Sequence, residues 1–205
     1  FEGVRRWHQD LYDAGYVGVT WPVEYGGQGR GHVENALLQE ELVVQDAPPV
    51  TNGLGIGLCG PAIIHHGSEA QKKRFLRPML RAEEMWCQGY SEPGAGSDLA
   101  NLRTTAELRG DRWIVNGKKV WNTKAQQAQK ILLLARTTPR EECKRRMDGM
   151  TLFLADLDRA YCEIREIGKL GRNAVNSNEV FIRDLPVSDA DVVGEVGRGF
   201  YTLLD

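Results

Sequence analysis

Two short stretches hold residues whose types and spacing could do chemistry. The first is Ser91-Glu92-Pro93-Gly94-Ala95-Gly96-Ser97-Asp98. Gly94 and Gly96 offer bare backbone where N–H groups must approach closely, and the Ser97 hydroxyl can add a donor to an anionic oxygen. The plain alternative is a glycine-rich turn between domains, and a loop motif of this length does not by itself decide between the two. The second stretch is Lys118-Lys119-Val120-Trp121-Asn122-Thr123. At the period of a strand, Trp121 and Thr123 share a face, so one aromatic and one hydroxyl would meet one ligand while Asn122 faces away. The alternative here is an ordinary core tryptophan followed by a strand-end turn residue.

Other conspicuous residues favour plainer readings. Gly26-Gly27-Gln28-Gly29 lacks the third glycine and the preceding strand of a dinucleotide fingerprint, and reads as a turn between helices. His65-His66 before Gly67 reads as a helix end, and His8 and His32 show no partner spacing. Glu40-Glu41 and Glu83-Glu84 read as solvated faces. Cys59, Cys87, Cys143 and Cys162 form no CxxC pair and read as free thiols in a reducing compartment. With 26 basic against 28 acidic residues and a net charge of −2, the composition argues against a general nucleic-acid surface or a polybasic membrane anchor. The nearest approach to a membrane span, Leu54 to Ile64, is too short and is interrupted by Gly55, Gly57, Gly60 and Pro61.

The elements that must position these residues fall into two halves. Up to about residue 82 the period is helical. Trp7, Leu11 and Ala14 make one stripe, and Val33, Ala36, Leu37 and Val44 make another that Pro48-Pro49 closes. A small-residue helix follows over 52–66, and Ser68 with Gln71 has capping-box spacing for the next. From about residue 85 the pattern is that of strands, over 104–108, 113–115, 118–121, 131–135, 151–156, 162–167 and 179–183. Gly110-Asp111, Asn116-Gly117 and Asp148-Gly149 serve as turns, Asn-Gly being the strongest two-residue hairpin signal. The fold class expected is α+β, a helical domain over 1–84 followed by an antiparallel β-barrel or sandwich over 85–193. Residues 194–205 read as the opening turns of a further helix. The first residues lack an apolar signal-peptide core and do not begin with Met, so the start reads as trimmed.

The run from Cys87 through Tyr90 to Asp98 resembles the [ST]-E-P-x-x-G-S-D signature of the acyl-CoA dehydrogenase flavoprotein family. Three further blocks agree in order: Pro22-Val-Glu-Tyr-Gly-Gly-Gln-Gly29, Asn116-Gly-Lys-Lys-Val-Trp-Asn-Thr123, and Asn178-Glu-Val-Phe followed by Gly194 to Phe200. Short strings, Trp86-Cys87-Gln88 and Asn178 to Phe181, look closest to bacterial branches. Asn122 departs from the Ile or Thr usual at its position.

The resemblance implies an FAD site formed by Tyr90, Ser91, Gly96, Ser97, Trp121 and Thr123, with Trp121 against the ring system, the Thr123 hydroxyl on flavin N5 and Ser97 also touching substrate. It implies FAD-dependent α,β-dehydrogenation of an acyl-CoA thioester to the trans-2-enoyl-CoA, in fatty acid metabolism and lipid degradation. The catalytic base is a glutamate expected beyond Asp205, in a missing C-terminal helical bundle, so the stretch alone should not turn over. Glu92 is instead expected to fix the shape of its loop. An acyl-CoA oxidase and a non-catalytic flavin-binding subunit of a heteromeric dehydrogenase are the alternatives. Implied partners are the acyl-CoA substrate, an electron-transfer flavoprotein or similar acceptor, and further copies or relatives in a homo- or hetero-oligomer. The basic loop over 140–146 could meet coenzyme A phosphates, although an exposed mobile loop is the preferred reading. No metal is implied, and the expected compartment is the bacterial cytoplasm, with an organelle matrix as alternative.

Overall fold

The computed structural model describes residues 1–172 and 174–204. Helices α1 (Glu2–Asp13), α2 (His32–Val44), α3 (Gly60–His66) and α4 (Glu69–Leu80) precede strands β1 (Trp86–Gly89), β2 (Thr105–Arg109), β3 (Arg112–Thr123), β4 (Lys130–Arg136), β5 (Met150–Asp156), β6 (Cys162–Glu166), β7 (Ser177–Ser188) and β8 (Val192–Val193). A four-residue helix, α5 (Gly199–Thr202), follows, and Asp205 at the end of the expected third segment lies outside the described residues. The α+β class stands, with helices first and then one mostly antiparallel sheet in the order β6-β7-β3-β2-β4-β5-β8.

β4 explains how the two halves hold together. Its run Ile131-Leu-Leu-Leu-Ala135 is apolar at every position, as a strand buried on both faces requires. Leu132 and Leu134 join the core that holds Trp21, Ile63, Phe75, Leu76 and Met79 from the helical half. Ile131, Leu133 and Ala135 join the second core, with Trp113, Val115 and Phe153. β1 lies parallel to β4, Trp86 opposite Lys130 through Gly89 opposite Leu133, which brings the signature loop out at the end of this doubly buried ladder. β1 has no alternation to announce it, which is why the sequence pattern passes over it.

Three expectations need correction. Asn116-Gly117 is not a hairpin turn: β3 runs unbroken from Arg112 to Thr123, and the β2–β3 turn is Gly110-Asp111, with Gly110 at φ +66°. Asn116 instead exchanges two hydrogen bonds with Asp184 on β7, and a Cβ at Gly117 would stand 2.4 Å from Thr104 Oγ1, so glycine is required by close packing inside a strand. The stripe Val33, Ala36, Leu37 and Val44 does not face the core; all four are exposed, and α2 leans on the protein through Leu38 and Leu42. The helix expected over 52–66 is interrupted by a π turn, Gly55–Cys59, where a Cβ at Gly60 would meet the Trp21 ring at 2.1 Å. By contrast the Ser68–Gln71 capping box forms in both directions.

His8, read as unpartnered, is fully buried. Its Nε2 lies 2.7 Å from the Leu80 carbonyl and its Nδ1 accepts from Thr51 N–H at 3.2 Å, which joins α1 to α4 and to the segment before α3. This pairing needs the neutral ring with the proton on Nε2. Burial, with the nearby Lys124 ammonium also opposing charge, holds its pKa below 6.5 despite the Leu80 carbonyl. The unfolded chain therefore binds the proton more readily, so the stability this group supplies is present above the unfolded pKa and is lost as pH falls through the folded one. The unfolding midpoint is expected to drop between pH 7.5 and 5. His8→Phe should flatten that slope and cost about 1–3 kcal/mol by orphaning Thr51 N–H and the Leu80 carbonyl; urea unfolding across the pH range checks both, and an unchanged slope would remove His8 from the account.

Candidate functional site

The site is built from β1, the loop after it and the middle of β3. On β3, Lys119 pairs with Val180 of β7 and Asn122 with Asn178, so Val120 and Trp121 together stand against Glu179. This is a β-bulge. Freed from β7, the Val120 amide donates to the Ser91 carbonyl at 2.9 Å. The bulge also breaks the alternation, because Lys119 and Val120 are both buried; it resumes with Trp121 exposed, Asn122 buried and Thr123 half-buried. Trp121 sits at φ +64°, a left-handed conformation that a bulky residue adopts at a cost, and 58% of it remains open to solvent.

Lys119 and Glu92 lie beneath this surface. The Lys119 ammonium, with no solvent exposure, donates to the Tyr90 carbonyl at 3.0 Å and to Glu92 Oε1 at 2.8 Å. Glu92 also accepts from Thr104 N–H at 2.9 Å, Thr104 Oγ1 at 2.6 Å and, on its other oxygen, Arg103 N–H at 2.7 Å. The expectation that Glu92 fixes the loop matches this geometry. Burial opposes its charge, but Lys119 and the hydrogen bonds outweigh that and hold the carboxyl below its ordinary range, while burial lowers Lys119 to about 8. Asn122 adds a second tie: its Nδ2 donates to the Gln88 carbonyl on β1, and its own carbonyl accepts from Asn178 Nδ2 at 2.8 Å.

Above the buried layer the polar groups are open. Among the described residues the side chains of Tyr90, Ser91, Ser97, Trp121 and Thr123 make no hydrogen bond. Gly96 and Ser97 are exposed, while Tyr90 and Ser91 are half-buried. Neither Gly94 nor Gly96 has a left-handed φ, and a Cβ on either would meet nothing within 4 Å. Among the described residues nothing therefore demands glycine at these positions. Arg146, from the basic loop, reaches back to pair with Asp98 at 2.6 Å, both side chains exposed.

Of the residues singled out from sequence, Tyr90 is held through its carbonyl by the Lys119 ammonium and Ser91 through its carbonyl by the Val120 amide, one residue before Trp121; Gly96 and Ser97 are exposed on the same loop. Lys119 was missed. The available signal was parity, since it shares the strand face of the buried Trp113 and Val115. His65 and His66 close α3, as read. Among the described residues no cluster of His, Cys, Asp and Glu could hold a metal, and no helix is long and apolar enough to cross a membrane.

An α+β chain with an outward-facing Ser/Gly loop beside a bulged tryptophan has close relatives. Residues 2–83 match the family described as acyl-CoA dehydrogenase, N-terminal domain, and residues 87–185 match acyl-CoA dehydrogenase, middle domain. The chain belongs to the acyl-CoA dehydrogenase family, whose members are flavoprotein oxidoreductases. It is 44% identical to acyl-CoA dehydrogenase IpdE1 of Mycobacterium tuberculosis over 98% of its own length and 51% of that protein. Among solved structures it is similar to the Tcur3481-Tcur3483 steroid acyl-CoA dehydrogenase, with a TM-score of 0.89 and 30% identity over 100% of this chain and 52% of that one. It is also similar to the ChsE4-ChsE5 complex from Mycobacterium tuberculosis, with a TM-score of 0.87 and 30% identity over 98% and 50%. The chain thus spans about half the length of these relatives.

A strained, exposed tryptophan contributes little to folding. Trp121→Gly is expected to leave the stability of the flavin-free protein unchanged or to raise it by up to about 1 kcal/mol, since glycine accepts the left-handed backbone without cost. Urea unfolding tests this; a loss of more than about 1 kcal/mol would mean that the indole packs as core.

Proposed function

We propose that the full-length protein is an FAD-dependent acyl-CoA dehydrogenase and that the described stretch supplies the protein face of its flavin site. The observation that carries this reading is Trp121, held outward in a left-handed bulge one residue past the Val120 amide that bonds Ser91, where among the described residues the Ser91 and Thr123 hydroxyls make no hydrogen bond. The donor set fits a flavin, which needs an apolar plane against its ring, polar donors for the ring edge and backbone amides for its pyrophosphate. Trp121 offers the plane, the Ser91 and Thr123 hydroxyls offer the donors, and the open backbone from Gly94 to Ser97 suits the phosphates. Bound there, the flavin supplies a two-electron acceptor for the hydrogen leaving the β carbon of the acyl chain. In this reading Tyr90 belongs with the cofactor-binding groups, and Ser97 also touches the substrate.

The α proton must be taken by a base whose carboxylate is free to reach it. Glu92 is unsuited, because both of its oxygens are already occupied by Lys119, Thr104 and Arg103. The resemblance to the family implies a base in a part of the protein outside this stretch. The likeness to a steroid acyl-CoA dehydrogenase is the reason to try steroid-type acyl thioesters as substrates, with an electron-transfer flavoprotein as the electron acceptor. A second reading, a flavin-holding subunit whose partner completes the site, is favoured by the likeness to the two-component ChsE4-ChsE5 complex.

The purified full-length protein is expected to be yellow, to release FAD on denaturation and to bleach anaerobically with at least one acyl-CoA, linear, branched or sterol-derived. A colourless protein that takes up no FAD would sink the reading. Flavin without bleaching until a related subunit is added would select the second one, and stoichiometric hydrogen peroxide in air would make the enzyme an oxidase.

A further inference from the structure

Three consecutive loop residues are held by two consecutive strand residues. Lys119 Nζ donates to the Tyr90 carbonyl and to the Glu92 carboxylate, and Val120 N–H donates to the carbonyl of Ser91 between them. The next residue along β3 is Trp121. The far end of the loop returns to the same place: Arg103 N–H and Thr104 bind Glu92, and Thr104 packs under Gly117 of β3. Within the loop, Glu92 and Ala95 exchange both backbone hydrogen bonds, at 2.9 and 3.0 Å. Apart from the Val120–Ser91 bond, the ties between the loop and the bulge thus converge on one buried ion pair, whose lysine has no solvent exposure.

We propose that the buried Lys119–Glu92 pair is the positioning element of the flavin site, fixing the Ser91–Ser97 loop against the bulged strand so that loop and indole present one preformed surface. The inference rests on the flavin reading above and adds to it the residues that set the geometry. Neither side chain needs to touch the cofactor. Their effect passes through Tyr90, Ser91 and Val120, and a site preformed in this way binds without the cost of ordering the loop at that moment.

The test uses the full-length protein and its Lys119→Met, Glu92→Gln and Lys119→Met/Glu92→Gln variants. FAD affinity is read by flavin fluorescence well below each variant's apo melting temperature. The double variant removes both charges and so leaves no unpaired ion in the core. Leu76→Ala, in the helical core, serves as a comparably destabilised control. Expected are a Kd for FAD at least tenfold weaker and a broadened visible band in the pair variants, with the control within twofold of wild type. A folded double variant with wild-type Kd and spectrum overturns the proposal, as does an equal loss in Leu76→Ala. Wild-type protein gives an independent reading by hydrogen exchange. The amides that donate in these bonds, those of Glu92, Ala95, Arg103, Thr104 and Val120, should be protected equally with and without FAD, and amides that exchange freely until FAD arrives overturn preorganisation whatever the variants do. Wild-type protein that takes up no FAD brings down the flavin reading itself; wild-type uptake with unaltered variants brings down only the role of the pair.

Discussion

A lysine ammonium without solvent exposure must be paired, and in this molecule the whole loop after β1 is arranged to pair it. Stripping an ion of water costs several kcal/mol, and leaving it without its partner costs about 3–5 kcal/mol. Lys119 satisfies that demand with a carboxylate and a carbonyl drawn from residues two apart, so the chain between them cannot wander. Glu92 in turn has more donors around it than Lys119 alone can supply, and those extra donors come from the segment that re-enters the sheet at Thr104. The bulge on β3 follows from the same arrangement. Val120 gives its amide to Ser91 instead of continuing the ladder to β7, and the surplus residue turns Trp121 outward.

This local solution holds because the ground beneath it is rigid. The core that takes Leu132 and Leu134 from β4 is the same one that takes Ile63, Phe75, Leu76 and Met79 from the helices. A boundary near residue 84 therefore separates two patterns in the sequence, while the core of the helical half continues into the sheet through one face of β4. Asn52 makes the join specific. Wholly buried, it donates to the carbonyls of Met79 and Glu84 and accepts from Trp86 N–H, fixing the start of β1 against the end of α4. A polar side chain in that position is worth its desolvation only because all three bonds are made.

The order of helices and strands was legible because apolar residues recur with the period of each element, and the apolar runs of β4 and β5 read as strands without alternation. Asn116-Gly117 misled because a dipeptide that favours a hairpin also suits a bulge, and only the neighbour crossing above it, Thr104, decides between them. Which face of α2 is covered could not be read either, since its apolar residues are spread around the helix and the sequence records no partner. At the site, Ser91, Ser97 and Trp121 stood out by type. Lys119 did not, because a lysine in a strand is ordinarily a solvated residue, and its burial depends on a carboxylate 27 positions earlier in the chain. His8 was hidden for the same reason: its partners are backbone groups, which carry no mark in a sequence.

The polar groups of this region divide into two sets, and the division has a physical logic. Below the loop, Lys119, Glu92 and Thr104 hold one another within the chain. Above it, among the described residues, the hydroxyls of Ser91, Ser97 and Thr123 and the indole of Trp121 make no hydrogen bond, and a Cβ on Gly94 or Gly96 would meet nothing within 4 Å. A loop kept only for its own stability would have little use for a strained aromatic or for bare backbone where nothing in the chain approaches. Rigidity below and unspent hydrogen-bonding capacity above are the two conditions a preformed binding surface must meet at once. The bulge at Val120 and Trp121 is where they meet, since the amide that secures the lower layer and the indole presented to the upper one belong to adjacent residues.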